Sequence, residues 1–275
     1  MANISASDVK KLREMTGAGM MDCKKALAES GGDFEQAAEI IRKKGMAVAS
    51  KRADREATEG AVLARVTGDD TRGAIVVLNS ETDFVAKNEG FVKLASSILD
   101  LALEKNPADL NELKELEMDG TKVSEHILQQ IGIIGEKIDI SFYGKIEAVQ
   151  VVPYIHPGNK LATLVGLNKK ADLQVGKDIA MQVAAMNPVS VDKDDIPQAV
   201  IDKEIEIGKE QARMEGKPEE LLERIAMGKL NKFYKESTLL NQDFTRDNKK
   251  TVKQYLQEQD KELTVTGFLR YGLGS

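Results

Sequence analysis

Ala74-Ile75-Val76-Val77-Leu78-Asn79-Ser80-Glu81-Thr82-Asp83-Phe84-Val85-Ala86-Lys87-Asn88 is the stretch on which the plan of the chain turns. The all-apolar run Ala74 to Leu78 reads as a buried strand, since a strand covered on both faces has no polar alternation. Glu81 to Asn88 reads as a loop, and a helical pattern starts at Gly90. The loop places an acidic residue, Asp83, beside a large aromatic, Phe84, although phenylalanine is ordinarily hidden and aspartate ordinarily solvated. On a loop between two rigid supports, that pair reads as a probe aimed at another molecule. The plainer assignment, favoured by these eight residues alone, packs Phe84 under its own loop and leaves Asp83 to cap the next helix.

The flanking segments complete a repeating unit. Gly60 to Thr67 and Arg72 to Ser80 enclose the turn-rich Gly68-Asp69-Asp70-Thr71 and read as a hairpin. After the loop, Phe91, Leu94, Ala95, Ile98, Leu99 and Ala102 share one helical face, and the helix stops before Pro107. A charged stretch follows, then a helix over Lys122 to Gly135 and a strand over Ile138 to Phe142. The plan then recurs. Glu147 to Tyr154 and Lys160 to Asn168 form a strand pair across Ile155-His156-Pro157-Gly158-Asn159, and Gly176 opens a helix through Ile179, Met181, Val183 and Met186 that closes before Pro188. The shared order of hairpin, loop, Gly-led helix and Pro stop suggests a duplicated α+β core with antiparallel sheets.

Ahead of this core, residues 1–45 read as a three-helix docking module. Ser5 with Asp8 has capping-box spacing, Ile4 and Val9 have staple spacing, and Asp33 can cap the third helix. Lys51, Arg52 and Arg55 mark residues 46–58 as a solvated helical linker, with a nucleic-acid contact as the sharper alternative. The first half of the core is then 59–140 and the second 141–275. Within the second half, 197–240 is long, charged and helical, interrupted by Gly216-Lys217-Pro218, and reads as an inserted antiparallel helical hairpin. Thr251 to Gln257 reads as a short helix, and Leu263 to Tyr271 as a last strand returning to the sheet.

Composition narrows the function. The net charge of −6 and a pI near 5.3 argue against a dominant phosphate-binding role, and therefore against DNA. Tryptophan is absent and aromatics are 4%, too few for a base-stacking platform. A single cysteine excludes an internal disulfide and fits a reducing compartment. The first twenty residues are charged and polar, so no signal peptide is expected, and no apolar run approaches a membrane span. A soluble, cytoplasmic protein is the expectation.

No constellation for chemistry emerges. None of the Gly-Lys pairs at Gly144, Gly176, Gly208, Gly216 and Gly228 is followed by Ser or Thr, so no phosphate-cradling loop is present. Two histidines and one cysteine, far apart, define no zinc site. Cys23 near a helix start could have a lowered pKa, but its spacing from Met20 and Leu27 fits a small core residue better. His156 lies in a turn, and His126 on a helix has a structural role. The expectation is no catalytic residue, no metal and no cofactor.

Two runs carry a family resemblance. Leu12-Arg13-Glu14-Met15-Thr16-Gly17-Ala18-Gly19-Met20-Met21-Asp22-Cys23-Lys24-Lys25-Ala26-Leu27 resembles the amino-terminal signature of elongation factor Ts, whose module is UBA-like. Leu78-Asn79-Ser80-Glu81-Thr82-Asp83-Phe84-Val85-Ala86-Lys87 resembles the second signature of that family. Two departures stand out: Val77 occupies a position that is often acidic, and the chain stops at Ser275 where many members continue with a helical segment. The resemblance implies a guanine nucleotide exchange factor for elongation factor Tu, contacting its GTPase domain and a further domain and promoting GDP release. Thr82, Asp83, Phe84 and Val85 would intrude near the partner's Mg²⁺ site, Met20 and Met21 would touch the GTPase domain, and the turn at His156 would match a partner contact from the second half. The competing class is a scaffold in translation that binds proteins without exchange; Phe84→Ala separates the two.

Overall fold

The computed structural model describes residues 4–274. Residues 1–3 and Ser275, the outer ends of the expected module and final segment, lie outside that range. The protein is α+β, with 53% of residues helical and 23% in strands. It divides into two compact units, Met1–Leu63 with Val76–Gly144 and Leu273–Ser275, and Ala64–Ile75 with Lys145–Gly272.

The first unit opens with α1 (Ala6–Thr16), α2 (Met20–Glu29) and α3 (Phe34–Arg52). The expected capping box forms: Ser5 accepts from the Asp8 amide at 3.1 Å, and Asp8 accepts from the Ser5 amide at 3.1 Å. Gly17 closes α1 in the left-handed conformation, and Asp33 caps α3 by accepting from the Gln36 amide. Val9, Leu12, Cys23, Leu27 and Ala37 form the buried core, with Ile4 packed against it. Cys23 is thus the small core residue its spacing implied. α3 runs unbroken to Arg52 through most of the segment read as a linker. Just before that segment, Gly45 is buried in mid-helix against Leu128 and Gly132.

The first sheet has the order β1–β2–β5, with β1 at Glu59–Val66, β2 at Arg72–Ser80 and β5 at Ile138–Glu147. Between β2 and β5 come the short α4 (Asp83–Ala86), α5 (Glu89–Lys105), α6 (Leu110–Glu115), the two-residue strands β3 (Glu117–Met118) and β4 (Thr121–Lys122), and α7 (Val123–Ile134). The probe segment is therefore partly helical, and Asn88 rather than Asp83 caps α5, accepting from the Gly90 and Phe91 amides. His126 has the structural role expected: its Nε2 lies 2.6 Å from the Met118 carbonyl and ties α7 to β3.

The second unit repeats the strand plan. Its antiparallel sheet has the order β6–β7–β10, with β6 at Gln150–Ile155, β7 at Leu161–Leu167 and β10 at Val265–Gly272. In both sheets the third strand joins beside the second strand of the hairpin. In both, an Asn in the left-handed conformation, Asn106 or Asn187, closes the following helix just before a proline. The second of these helices, α8 (Leu173–Met186), starts after an Asp172 cap, so Gly176 does not open it. Gly176 is instead where α8 presses on β6. A Cβ there would lie 2.4 Å from Val152 Cγ2, a distance no side chain tolerates.

Two long helices follow, α9 (Gln198–Met214) and α10 (Glu219–Ser237), joined by a turn at Gly216 as expected. Gly208 lies directly against Ala226, and Ala212, Leu222 and Leu230 are buried with them. Ile201 and Ile205 are only half-buried. The chain then forms β8 (Asp243–Phe244), β9 (Asp247–Thr251) and α11 (Val252–Gln259) before β10. Asp178 of α8, a buried carboxylate the sequence did not single out, accepts from Gln174 Nε2 at 2.7 Å, Tyr255 hydroxyl at 2.8 Å and Arg246 Nη1. Phe244 stacks on Tyr255 beside this network at 4.2 Å.

Candidate partner-binding site

The turn after β2 is pinned at its base and bare at its tip. Glu81 Oε1 accepts from the Lys137 amide at 2.6 Å, and both its oxygens accept from Arg52 Nη1 at 3.0–3.2 Å. Glu136 answers in the other direction. Its Oε2 accepts from the Thr82 amide at 3.0 Å, and its Oε1 from the Thr82 hydroxyl at 2.7 Å. Lys137 Nζ donates to the carbonyls of Ala53 and Arg55, just past the end of α3. Each strand end thus supplies a carboxylate for the other's backbone, in partly buried surroundings where hydrogen bonds to charged groups count most. Arg52, read from the sequence as a wet charge, is part of this base.

Above it, Asp83 to Ala86 make one helical turn with Ala86 buried underneath. Asp83 Oδ2 accepts from Lys87 Nζ at 2.6 Å on the outer face. That hydrogen bond, and then the charge of Asp83, hold the Lys87 pKa above its ordinary value. Thr82 and Val85 are half-buried. Phe84 is 83% exposed, so it does not pack under its own loop.

The second candidate contact lies on the helical module of the same unit. Gly17-Ala18-Gly19 turns the chain from α1 into α2, with Ala18 buried as the pivot. Met20 and Met21 at the first turn of α2 are 46% and 66% exposed, which sets Met20 between core and surface. Met15 on α1 is also exposed, and the sequence reading did not single it out. Thioethers suit a surface that must adapt to a partner. His156 lies in the other unit, exposed in the turn between β6 and β7, with Nδ1 2.9 Å from the Tyr154 hydroxyl.

Glu136 and Lys137 had no signal in the sequence. They stand more than fifty residues from the turn they hold, and no periodicity or spacing links them to it. Among the described residues, no group of three His, Cys, Asp or Glu could hold a metal ion, and no helix is long and apolar enough to cross a membrane.

The chain is thus an α+β protein with a helical module, two three-stranded sheets of matching strand order and a bare Asp-Phe turn on a pinned base. The family described as "Elongation factor TS" matches residues 81–275. Curated relatives named elongation factor Ts align along nearly the whole chain. The one from Porphyromonas gingivalis strain W83 is 52% identical over 273 residues, covering 99% of each chain. That of Amoebophilus asiaticus is 52% identical over 275 residues, again with 99% of each covered. That of Christiangramia forsetii is 49% identical over 276 residues and covers both chains completely. The chain belongs to the elongation factor Ts family.

Proposed function

We propose that this protein is a guanine nucleotide exchange factor that binds elongation factor Tu in its GDP form and promotes GDP release without covalent chemistry. Family membership supplies the partner, and the exposure of Phe84 above a pinned base is the observation that carries the mechanism. Exchange requires differential binding. A factor that favours the nucleotide-free partner weakens the nucleotide's hold by the same coupling energy.

Phe84 supplies apolar area to the partner, worth about 1.5–3 kcal/mol if the ring becomes fully buried. The pinned base makes that gain usable, because less ordering entropy is lost when a contact is already arranged before docking. Asp83 disturbs the contacts that keep the partner's Mg²⁺ and phosphates in place, and the ion matters because it is the largest local charge there. The exposed Asp83–Lys87 pair opposes this little, since such pairs contribute at most about 1 kcal/mol. Met20 and Met21 contact the GTPase domain, and the His156 turn makes a contact from the second half of the core.

The test is stopped-flow release of a fluorescent GDP analogue from elongation factor Tu, with the wild type, with Phe84→Ala and with no addition. A large acceleration that is mostly lost in a folded Phe84→Ala is expected. No acceleration by the folded wild type would replace this reading with that of a non-exchange scaffold.

A further inference from the structure

We infer that Glu136 is a positioning residue for the Phe84 turn; this rests on the exchange reading above. Glu136 sits between Gly135, which closes α7 in the left-handed conformation, and β5, so its backbone is fixed from both sides. Its carboxylate makes two bonds to Thr82, the residue at which β2 gives way to the helical turn bearing Phe84. The Thr82 hydroxyl would ordinarily be available to cap that turn, yet it makes no cap bond there and points to Glu136 instead. Ser80 Oγ donates to the Thr82 carbonyl at 2.9 Å, so both peptide groups of Thr82 are held. With Thr82 immobilised, the direction in which Asp83 and Phe84 leave the sheet is set.

The role is geometric and does not depend on the negative charge. A glutamine in place of Glu136 still accepts the Thr82 amide through its oxygen. The Thr82 hydroxyl, able to accept as well as donate, takes the amide hydrogen of the glutamine. Glu136→Gln therefore keeps most of the geometry, whereas Glu136→Ala removes both bonds. A glutamate that acted through its charge on the partner would fail equally in both variants.

The experiment combines exchange kinetics with hydrogen exchange on the full chain. Glu136→Ala, Glu136→Gln and Thr82→Val are made in the wild type and in Phe84→Ala, with thermal melts to confirm folding. We expect Glu136→Ala to slow accelerated GDP release about tenfold, the effect of losing hydrogen bonds to a charged group. We expect no further loss when the same change is made in Phe84→Ala, and near wild-type release by Glu136→Gln. In the free protein, the amides of residues 82–88 should exchange faster in Glu136→Ala while those of α1 to α3 do not change. If Glu136→Ala does not fold, Thr82→Val probes the same bond from its other end and should give the same pattern, in smaller degree.

Equal losses in both Phe84 backgrounds, loss in Glu136→Gln equal to that in Glu136→Ala, or unchanged protection of residues 82–88 would each overturn the inference. If the wild type does not accelerate release at all, the exchange reading fails, and the protection of residues 82–88 alone still decides whether Glu136 positions the turn.

Discussion

A Cβ built on Gly132 of α7 would lie 2.5 Å from the Cα of Gly45 on α3, so the two helices touch backbone to backbone. The contact is asymmetric. A Cβ on Gly45 would meet its nearest atoms, the Gly132 Cα and the Leu128 carbonyl, at an ordinary 3.5 Å. Gly132→Ala must force the helices apart, and overpacking of this kind costs about 1–3 kcal/mol. Gly45→Ala meets no clash and gains up to about 1 kcal/mol of helix propensity. Thermal or denaturant melts should therefore show Gly132→Ala destabilised and Gly45→Ala unchanged or slightly stabilised.

Phe84→Ala separates binding from folding. A ring this exposed contributes little to the folded state, so the melt should change by less than about 0.5 kcal/mol. Affinity for the nucleotide-free partner should fall by about 1.5–3 kcal/mol, or roughly ten- to a hundredfold. Calorimetric melts alongside titration of elongation factor Tu measure both.

Met20→Ala and Met21→Ala test the second contact. Both side chains are partly exposed before binding, so each truncation should cost about 1 kcal/mol of partner affinity, less than full burial of a methionine would give. Met21→Ala should leave the melt unchanged. Met20→Ala should lower it slightly, because roughly half of that side chain is already packed.

Tyr255 gives the second unit an alkaline limit. Burial, and then its hydrogen bond to the Asp178 carboxylate, raise its pKa well above the ordinary value of 10.0. In the unfolded chain the phenol loses its proton near pH 10, while in the folded chain it keeps it. The unfolded state then binds fewer protons, so stability falls as pH rises above about 10 and is fully present below. Tyr255→Phe should flatten that alkaline decline in a pH series of melts. Asp178→Ala, which leaves the partly buried phenol without its acceptor while the half-exposed Arg246 guanidinium stays solvated, should cost about 1–3 kcal/mol at neutral pH.

Much of the architecture was legible because it is written in local signals. Ser5, Asp33 and Gly17 mark helix ends, the apolar stripe of α5 has a clear helical period, and Gly216-Lys217-Pro218 marks the turn between α9 and α10. Phe84 could be singled out because an aromatic beside an aspartate contradicts the usual rule for burial. What stayed hidden was long-range or made of small residues. Gly45 against Gly132, Gly176 against Val152 and Gly208 against Ala226 carry no amphipathic signal, since their function is the absence of a side chain. The helical turn at Asp83–Ala86 is shorter than any periodicity can reveal. Glu136 and Arg52 look like ordinary surface charges until the fold brings them to Thr82 and Glu81.

The measurement that tests the central claim most directly compares two dissociation constants for this protein and elongation factor Tu. One is taken with the partner nucleotide-free, the other with the partner saturated in GDP and Mg²⁺. An exchange factor must bind the nucleotide-free form more tightly, by the same factor by which it weakens GDP, and Phe84→Ala should shrink that ratio. Equal constants for the two forms would contradict the account, because a protein with no preference between them cannot displace the nucleotide however tightly it binds.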